Sequence, residues 1–99
     1  MQVIFDREVA DQLRSRYTVL ELETFEVEGK QLETFCVIPA EKIALSEVAS
    51  LEQNTKLHED FVKAAKEKNY ELCGQLYMHL IGKFGGELDS FYDEVVSRI

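Results

Sequence analysis

The chain has 99 residues, 45% of them apolar and 30% charged, proportions of a single globular domain. A formal net charge of −8 argues against nucleic acid or an anionic membrane as a direct ligand, since both are bound through basic patches. No apolar run approaches membrane-spanning length, and the longest, Tyr77 to Ile81, is interrupted by His79.

The first residues, Met1-Gln-Val-Ile-Phe-Asp6, lack the basic start of a secretory signal. Two cysteines without such a signal read as reduced, buried thiols, and the expected location is cytoplasmic. Gln2 to Phe5 fits a short strand. Asp6 is a good N-cap for a helix to about Arg16, because its carboxylate can accept an exposed backbone N–H. Val9, Ala10 and Leu13 make the buried side of that helix.

Tyr17 to Val27 and Gln31 to Ile38 are β-rich runs joined by a tight turn at Glu28-Gly29-Lys30. A register in which paired numbers sum to 57 sets Phe25 against Leu32, Leu22 against Phe35, Leu20 against Val37 and Val19 against Ile38. Moving the turn by one residue sets Glu26 against Glu33, an unfavourable like-charge pair. In the preferred register Phe25, Val27 and Leu32 share one side, and Leu20, Leu22, Phe35 and Val37 the other. The apolar face changes at Glu-Thr, which occurs in both Leu22-Glu-Thr-Phe25 and Leu32-Glu-Thr-Phe35. The ribbon therefore bulges or twists hard there, or is covered on both faces. An isolated hairpin is marginal in water, so it packs on helices or on another copy.

Pro39 ends the second strand, having no N–H to donate. Ala40 to Gln53 reads as one helix or two short ones, with Ala44, Leu45, Val48 and Leu51 on one broad apolar face. Ser50-Leu-Glu-Gln53 is a capping-box pattern, and a break is expected near Gln53-Asn54-Thr55. The remainder predicts three amphipathic helices. The first runs from about Lys56 to Lys68, with Leu57, Phe61, Ala64 and Ala65 inward. The second carries Tyr70, Cys73, Leu76, Tyr77, Leu80 and Phe84 on one face and stops at Gly85-Gly86. The third is striped by Leu88, Phe91, Tyr92, Val95 and Ile99, with Asp89, Asp93 and Glu94 on its wet side. Short connections fold such helices back on one another. Leu57, Phe61, Leu76, Leu80, Val95 and Ile99 are expected to meet in one dry interior.

Candidate chemistry is sparse. Cys36, His58, Cys73 and His79 are spaced by 22, 15 and 6 residues, unlike a zinc finger. Cys73 lies on an apolar helix face and His79 points roughly opposite. Cys36 sits in an acidic hairpin, which disfavours the thiolate a nucleophile requires. His58-Glu59-Asp60 reads as a solvated turn, leaving two buried cysteines and two surface or boundary histidines. Gly82, Gly85 and Gly86 follow a helix and lead to no Lys-Ser/Thr, so they form no phosphate loop. The expectation is no cofactor and no metal site.

Asn69-Tyr70, Cys73 and Tyr77 resemble the turn and second helix of a tetratricopeptide hairpin. Asp60 and Phe61 depart from that pattern, and no second copy follows. Phe5-Asp-Arg-Glu-Val9, Tyr17-Thr-Val-Leu-Glu-Leu-Glu-Thr-Phe25 and Gly85-Gly-Glu-Leu-Asp-Ser-Phe-Tyr92 together resemble small uncharacterised proteins of large tailed bacteriophages. That resemblance implies a viral accessory protein in a bacterial host cytoplasm and carries no activity or site with it.

The expected fold is α+β: an N-terminal helix, an antiparallel β-hairpin, then a C-terminal three- to four-helix bundle. Residues 1–99 form a single domain, with 1–38 the helix-and-hairpin portion and 39–99 the helical portion. The expected function is non-enzymatic, a small acidic protein-interaction or regulatory module. Its candidate interaction surface is Phe25, Val27 and Leu32 with Glu23, Glu26, Glu28 and Glu33, and homodimerisation through the hairpin is one form of it. Residues 17–38 carry five glutamates against Lys30 alone, half of the net charge. Such an acidic surface also suits an inhibitor that imitates nucleic acid at a basic protein. A small enzyme is the third alternative.

Overall fold

The computed structural model describes residues 2–98. It is an α+β fold of five helices and a three-stranded antiparallel sheet. In chain order the elements are β1 (Gln2–Ile4), α1 (Arg7–Leu13), β2 (Thr18–Val27), β3 (Lys30–Ile38), α2 (Leu45–Val48), α3 (Leu51–Lys66), α4 (Tyr70–Leu80) and α5 (Asp89–Val96). Single 3-10 turns occupy Ala40–Lys42 and Phe84–Gly86. The sheet order is β1-β3-β2: the short strand expected at the N-terminus joins the hairpin as its third strand, paired from Gln2 against Val37 to Ile4 against Phe35.

The run Phe35-Cys-Val-Ile38 is buried throughout, the mark of a strand covered on both faces. Phe35 and Val37 pack with Val19, Ala10, Ile4 and Leu13 beneath α1. Cys36 and Ile38 pack with Leu20, Leu22 and the core side chains of α3, α4 and α5. The molecule therefore has three layers, with the sheet in the middle. Asp6 caps α1 as expected, accepting from Glu8 N at 2.8 Å and Val9 N at 3.4 Å. The helix is shorter than expected, however, and Val9 on it is exposed.

The ribbon register changes part-way. Pairs sum to 57 from Thr24–Glu33 to Val27–Lys30, then to 56 from Glu21–Phe35 to Thr18–Ile38. Leu22 and Glu23 together oppose Thr34, a β-bulge at the first Glu-Thr. The Thr34 hydroxyl donates to the Glu23 carbonyl at 2.6 Å. The extra residue corrects the expected inner pairing: Leu20 faces Cys36, and Val19 faces Val37. It also splits the expected side grouping, because Leu20 and Leu22 go to the α3–α5 core while Phe35 and Val37 go to α1. The turn itself uses Glu28 (φ 53°) and Gly29 (φ 79°) between Val27 and Lys30. Positive φ at both central residues matches the right-handed strand twist.

Four expectations in the second half are corrected. α3 begins at Leu51, so there is no break near Gln53-Asn54-Thr55, and Asn54 is buried inside the helix. Ser50 makes no side-chain cap bond, so the capping-box pattern is not used. Leu45 is 92% exposed and Val48 is also exposed; Ile43, just before them, takes the core position instead. α4 stops at Leu80 and does not reach Phe84, because Gly82 (φ 81°) turns the chain and its N–H is held by Asp89 Oδ1 at 2.8 Å. Phe84 then enters the core from its own turn, where its N–H is held by the Glu47 carboxylate at 2.9 Å. A Cβ on Gly85 would lie 2.2 Å from the Lys42 carbonyl oxygen, so that close approach requires glycine.

The α3–α4 junction is a Schellman motif. Lys68 (φ 58°) donates to the Ala65 carbonyl at 3.1 Å, and Asn69 N donates to the Ala64 carbonyl at 2.8 Å. Asn69 then caps α4, accepting from Leu72 N at 3.3 Å. Of the six expected interior residues, Phe61, Leu80 and Val95 are buried, while Leu57 and Leu76 are partly buried against the core. Ile99 lies outside the described residues. Phe61 meets Tyr92 edge to face, with ring centroids 4.9 Å apart. No described helix is long and apolar enough to cross a membrane.

Candidate functional site

Beyond the bulge the ribbon outruns its cover, and every residue from Phe25 to Leu32 is exposed. Side chains alternate along β3, so Leu32 lies on the same face as Thr34, Cys36 and Ile38. Phe25 is its direct cross-strand partner and Val27 is two residues along β2. The three therefore share the α3–α5 face of the ribbon, with exposures of 47% for Phe25, 51% for Val27 and 36% for Leu32. The structure brings these expected site residues together, on the same side as Leu20 and Leu22 and not opposite them.

Beneath that face lies an open groove of about 640 Å³. Its apolar lining is Leu22, Phe25, Val62, Ala65, Tyr70 and Phe91; its charged lining is Glu23, Glu26, Lys66, Lys68 and Arg98. A wider hollow of about 1010 Å³ between the start of β2 and helices α2 and α3 has no aromatic lining. Aromatic side chains supply much of the energy of protein interfaces, so the hairpin groove is the better candidate.

The expected acidic residues separate. Glu33 points to the α1 face, where Arg7 Nε donates to it at 3.0 Å. That hydrogen bond holds the Glu33 carboxyl below its usual range. Arg7 also reaches Glu21 at 3.3 Å and lies 5.1 Å from the centroid of the Phe35 ring. Glu23 points to the other side and pairs with Arg98, whose pKa rises chiefly through that contact. Glu21 also receives Lys66 at 3.0 Å. Glu26 lines the groove and Glu28 sits in the turn, both exposed and neither in an ion pair among the described residues.

One buried polar cluster was missed from the sequence. His58 is fully buried in the middle of α3, not in a solvated turn or at a boundary. Its Nε2 lies 2.6 Å from the Glu21 carbonyl oxygen, and its Nδ1 lies 2.8 Å from the Tyr92 hydroxyl. A carbonyl only accepts, so Nε2 carries the proton and the Tyr92 hydroxyl donates to Nδ1. Burial, opposed by the Glu21 hydrogen bond, lowers the His58 pKa to about 4. Burial raises Tyr92 as well. The ring is thus a neutral strut joining α3 and α5 to the bulge. Extending the helix back to Leu51 would have revealed it, since Leu51, Asn54, His58, Phe61, Val62 and Ala65 then form one inward stripe.

Both cysteines are free and buried. Burial pushes the Cys36 thiol up to about 12 and raises Cys73, away from the thiolate that nucleophilic chemistry needs. Among the described residues no group of three or more His, Cys, Asp or Glu side chains gathers to hold a metal ion. The groove-lining residues of α3, α4 and α5 were also missed as a surface. Val62 and Phe91 belong to helix stripes, and only the projecting ribbon leaves a groove beside them. No family model, curated protein or solved structure matches this chain.

Proposed function

We propose that the protein is a non-enzymatic interaction module whose contact surface is the outer hairpin and the groove beside it. The observation that supports this is the cluster of Phe25, Val27 and Leu32, exposed together above an aromatic-lined groove. A solvent-facing aromatic and two aliphatic side chains, rimmed by Glu26, Glu28 and Lys68, have the composition of an interface centre with a polar rim. The resemblance to small phage proteins would make the partner a protein of the phage or of its bacterial host, in the host cytoplasm. The alternative of an acidic inhibitor imitating nucleic acid has less support. Glu21 and Glu33 are spent on Arg7 and Glu23 on Arg98, on opposite faces, and form no single row. The buried acid–base groups with strongly shifted pKa values, Cys36, His58 and Tyr92, are sealed in the core, which favours a structural role for them over a catalytic one.

The test compares wild type with a Phe25→Glu, Leu32→Glu variant of unchanged melting temperature, by in-cell crosslinking and mass spectrometry. Wild type is expected to crosslink through residues 22–32 to a defined protein, of its own or another kind, and the variant to lose that product. Identical crosslink patterns for the two chains would overturn the proposal.

A further inference from the structure

We infer that the partner of this surface is a second copy of the chain, each copy laying its hairpin tip in the other's groove. The inference rests on the interaction reading and names the occupant. The tip presents Phe25 and Val27, with Glu26 between them on the strand and Glu28 in the turn, two exposed carboxylates without an ion pair among the described residues. The groove presents Tyr70, with the buried Phe91 at its floor, beside Lys68, an exposed ammonium likewise without an ion pair among the described residues. Apolar groups are matched to apolar groups and unspent carboxylates to the unspent cation. Tip and groove lie side by side on one face. A twofold axis between two copies sets each tip against the opposite groove, as a closed, self-complementary interface requires.

Edge-to-edge pairing of β2 is disfavoured on this chain. The strand is broken by its bulge and carries Glu21, Glu23 and Glu26. Such edges resist strand addition, and a paired copy would set carboxylate near carboxylate. The copies therefore meet through faces and not through the β2 edge.

Sedimentation equilibrium of the full chain from about 1 to 100 µM tests this, with affinities read as dissociation constants. Wild type is expected to approach twice the 11.4 kDa chain mass at the upper end. Phe25→Glu and Lys68→Glu should each weaken association about tenfold or more. Reversing the tip with Glu26→Lys and Glu28→Lys should also weaken it, although the change reduces net repulsion between copies. Combining that reversal with Lys68→Glu should recover most of the loss, the coupling expected of groups in contact. Thermal melts of each variant at low concentration confirm folding. A wild type monomeric throughout overturns the second-copy occupant, while a foreign protein crosslinked at the same surface would leave the interaction reading standing. A dimer indifferent to Phe25→Glu overturns the assigned surface.

Discussion

The inner half of the β2–β3 ribbon and its outer half are made of similar residues and stand in opposite environments. Val19, Leu20, Leu22 and Phe35 to Ile38 are buried, whereas Phe25, Val27 and Leu32 face solvent. Strand composition does not separate the halves. Cover does. β2 has ten residues, about 33 Å of strand, and its inner part packs on the core side chains of α3–α5. Beyond the bulge the same face borders the open groove, and Phe25, Val27 and Leu32 have no such cover. Burial on this sheet is decided by what packs against a residue, and the bulge marks the limit between the two regimes.

The largest expected effect breaks the comparison at its buried end. Phe35 is fully buried between α1 and the sheet, and Phe35→Ala should cost about 3–5 kcal/mol through lost burial and the cavity left behind. Phe25→Ala, made in the same kind of strand, should change stability of the dissociated chain by no more than about 0.5 kcal/mol. Urea midpoints at low protein concentration measure both. Equal losses would show that the outer half is packed within a single chain.

Acid should act on the same inner half through His58. Its folded pKa of about 4 lies below the ordinary histidine value of 6.5, so the unfolded chain takes up the proton first. Stability is then greatest above pH 6.5, declines as pH falls toward 4, and loses no more from this group below that. The whole penalty is roughly 3 kcal/mol at most. Because the Tyr92 hydroxyl can turn to accept from a protonated Nδ1, the cost is chiefly that of burying a charge. His58→Gln should be less stable at pH 7 yet flatter between pH 6.5 and 4.5. Proton NMR should place the His58 midpoint near 4; a midpoint near the ordinary value would mean that the ring is reached by water.

Much of the scaffold was legible from spacing and caps. Asp6, the Glu28-Gly29 turn and the stripes of Phe61, Leu80, Phe91 and Val95 rest on local rules that the tertiary structure respects. The Phe25–Leu32 pair and the clustering of Phe25, Val27 and Leu32 were legible for the same reason, being fixed by the turn. What was not legible is what depends on distant partners. The short strand at Gln2 was expected, but its place in the sheet needs β3 as a template, and Leu45 reads as core until Ile43 takes that place. The groove exists only where α3 and α5 diverge from the ribbon. His58 looked solvated because its neighbours Glu59 and Asp60 are charged, while its partners, Glu21 and Tyr92, lie 37 and 34 residues away in sequence.

The smallest of these effects sharpens the boundary itself. Thr34 is buried at the bulge and its hydroxyl is the donor to the Glu23 carbonyl. Thr34→Val keeps the shape and removes the hydrogen bond, at a cost of about 1 kcal/mol. Thr24→Val, across the ribbon and without such a bond, should be nearly neutral. Hydrogen exchange should quicken at residues 22–24 in Thr34→Val and stay unchanged elsewhere in β2. The ribbon should not slip to a continuous register. A uniform sum of 57 would set Leu22 opposite Phe35 and Leu20 opposite Val37, and same-face pairs cannot serve a strand whose Phe35 and Val37 are already held under α1. A variant that nevertheless adopted that register, seen as cross-strand contacts between Leu20 and Val37, would show that the hydroxyl, and not the two-sided burial, sets where the inner half ends.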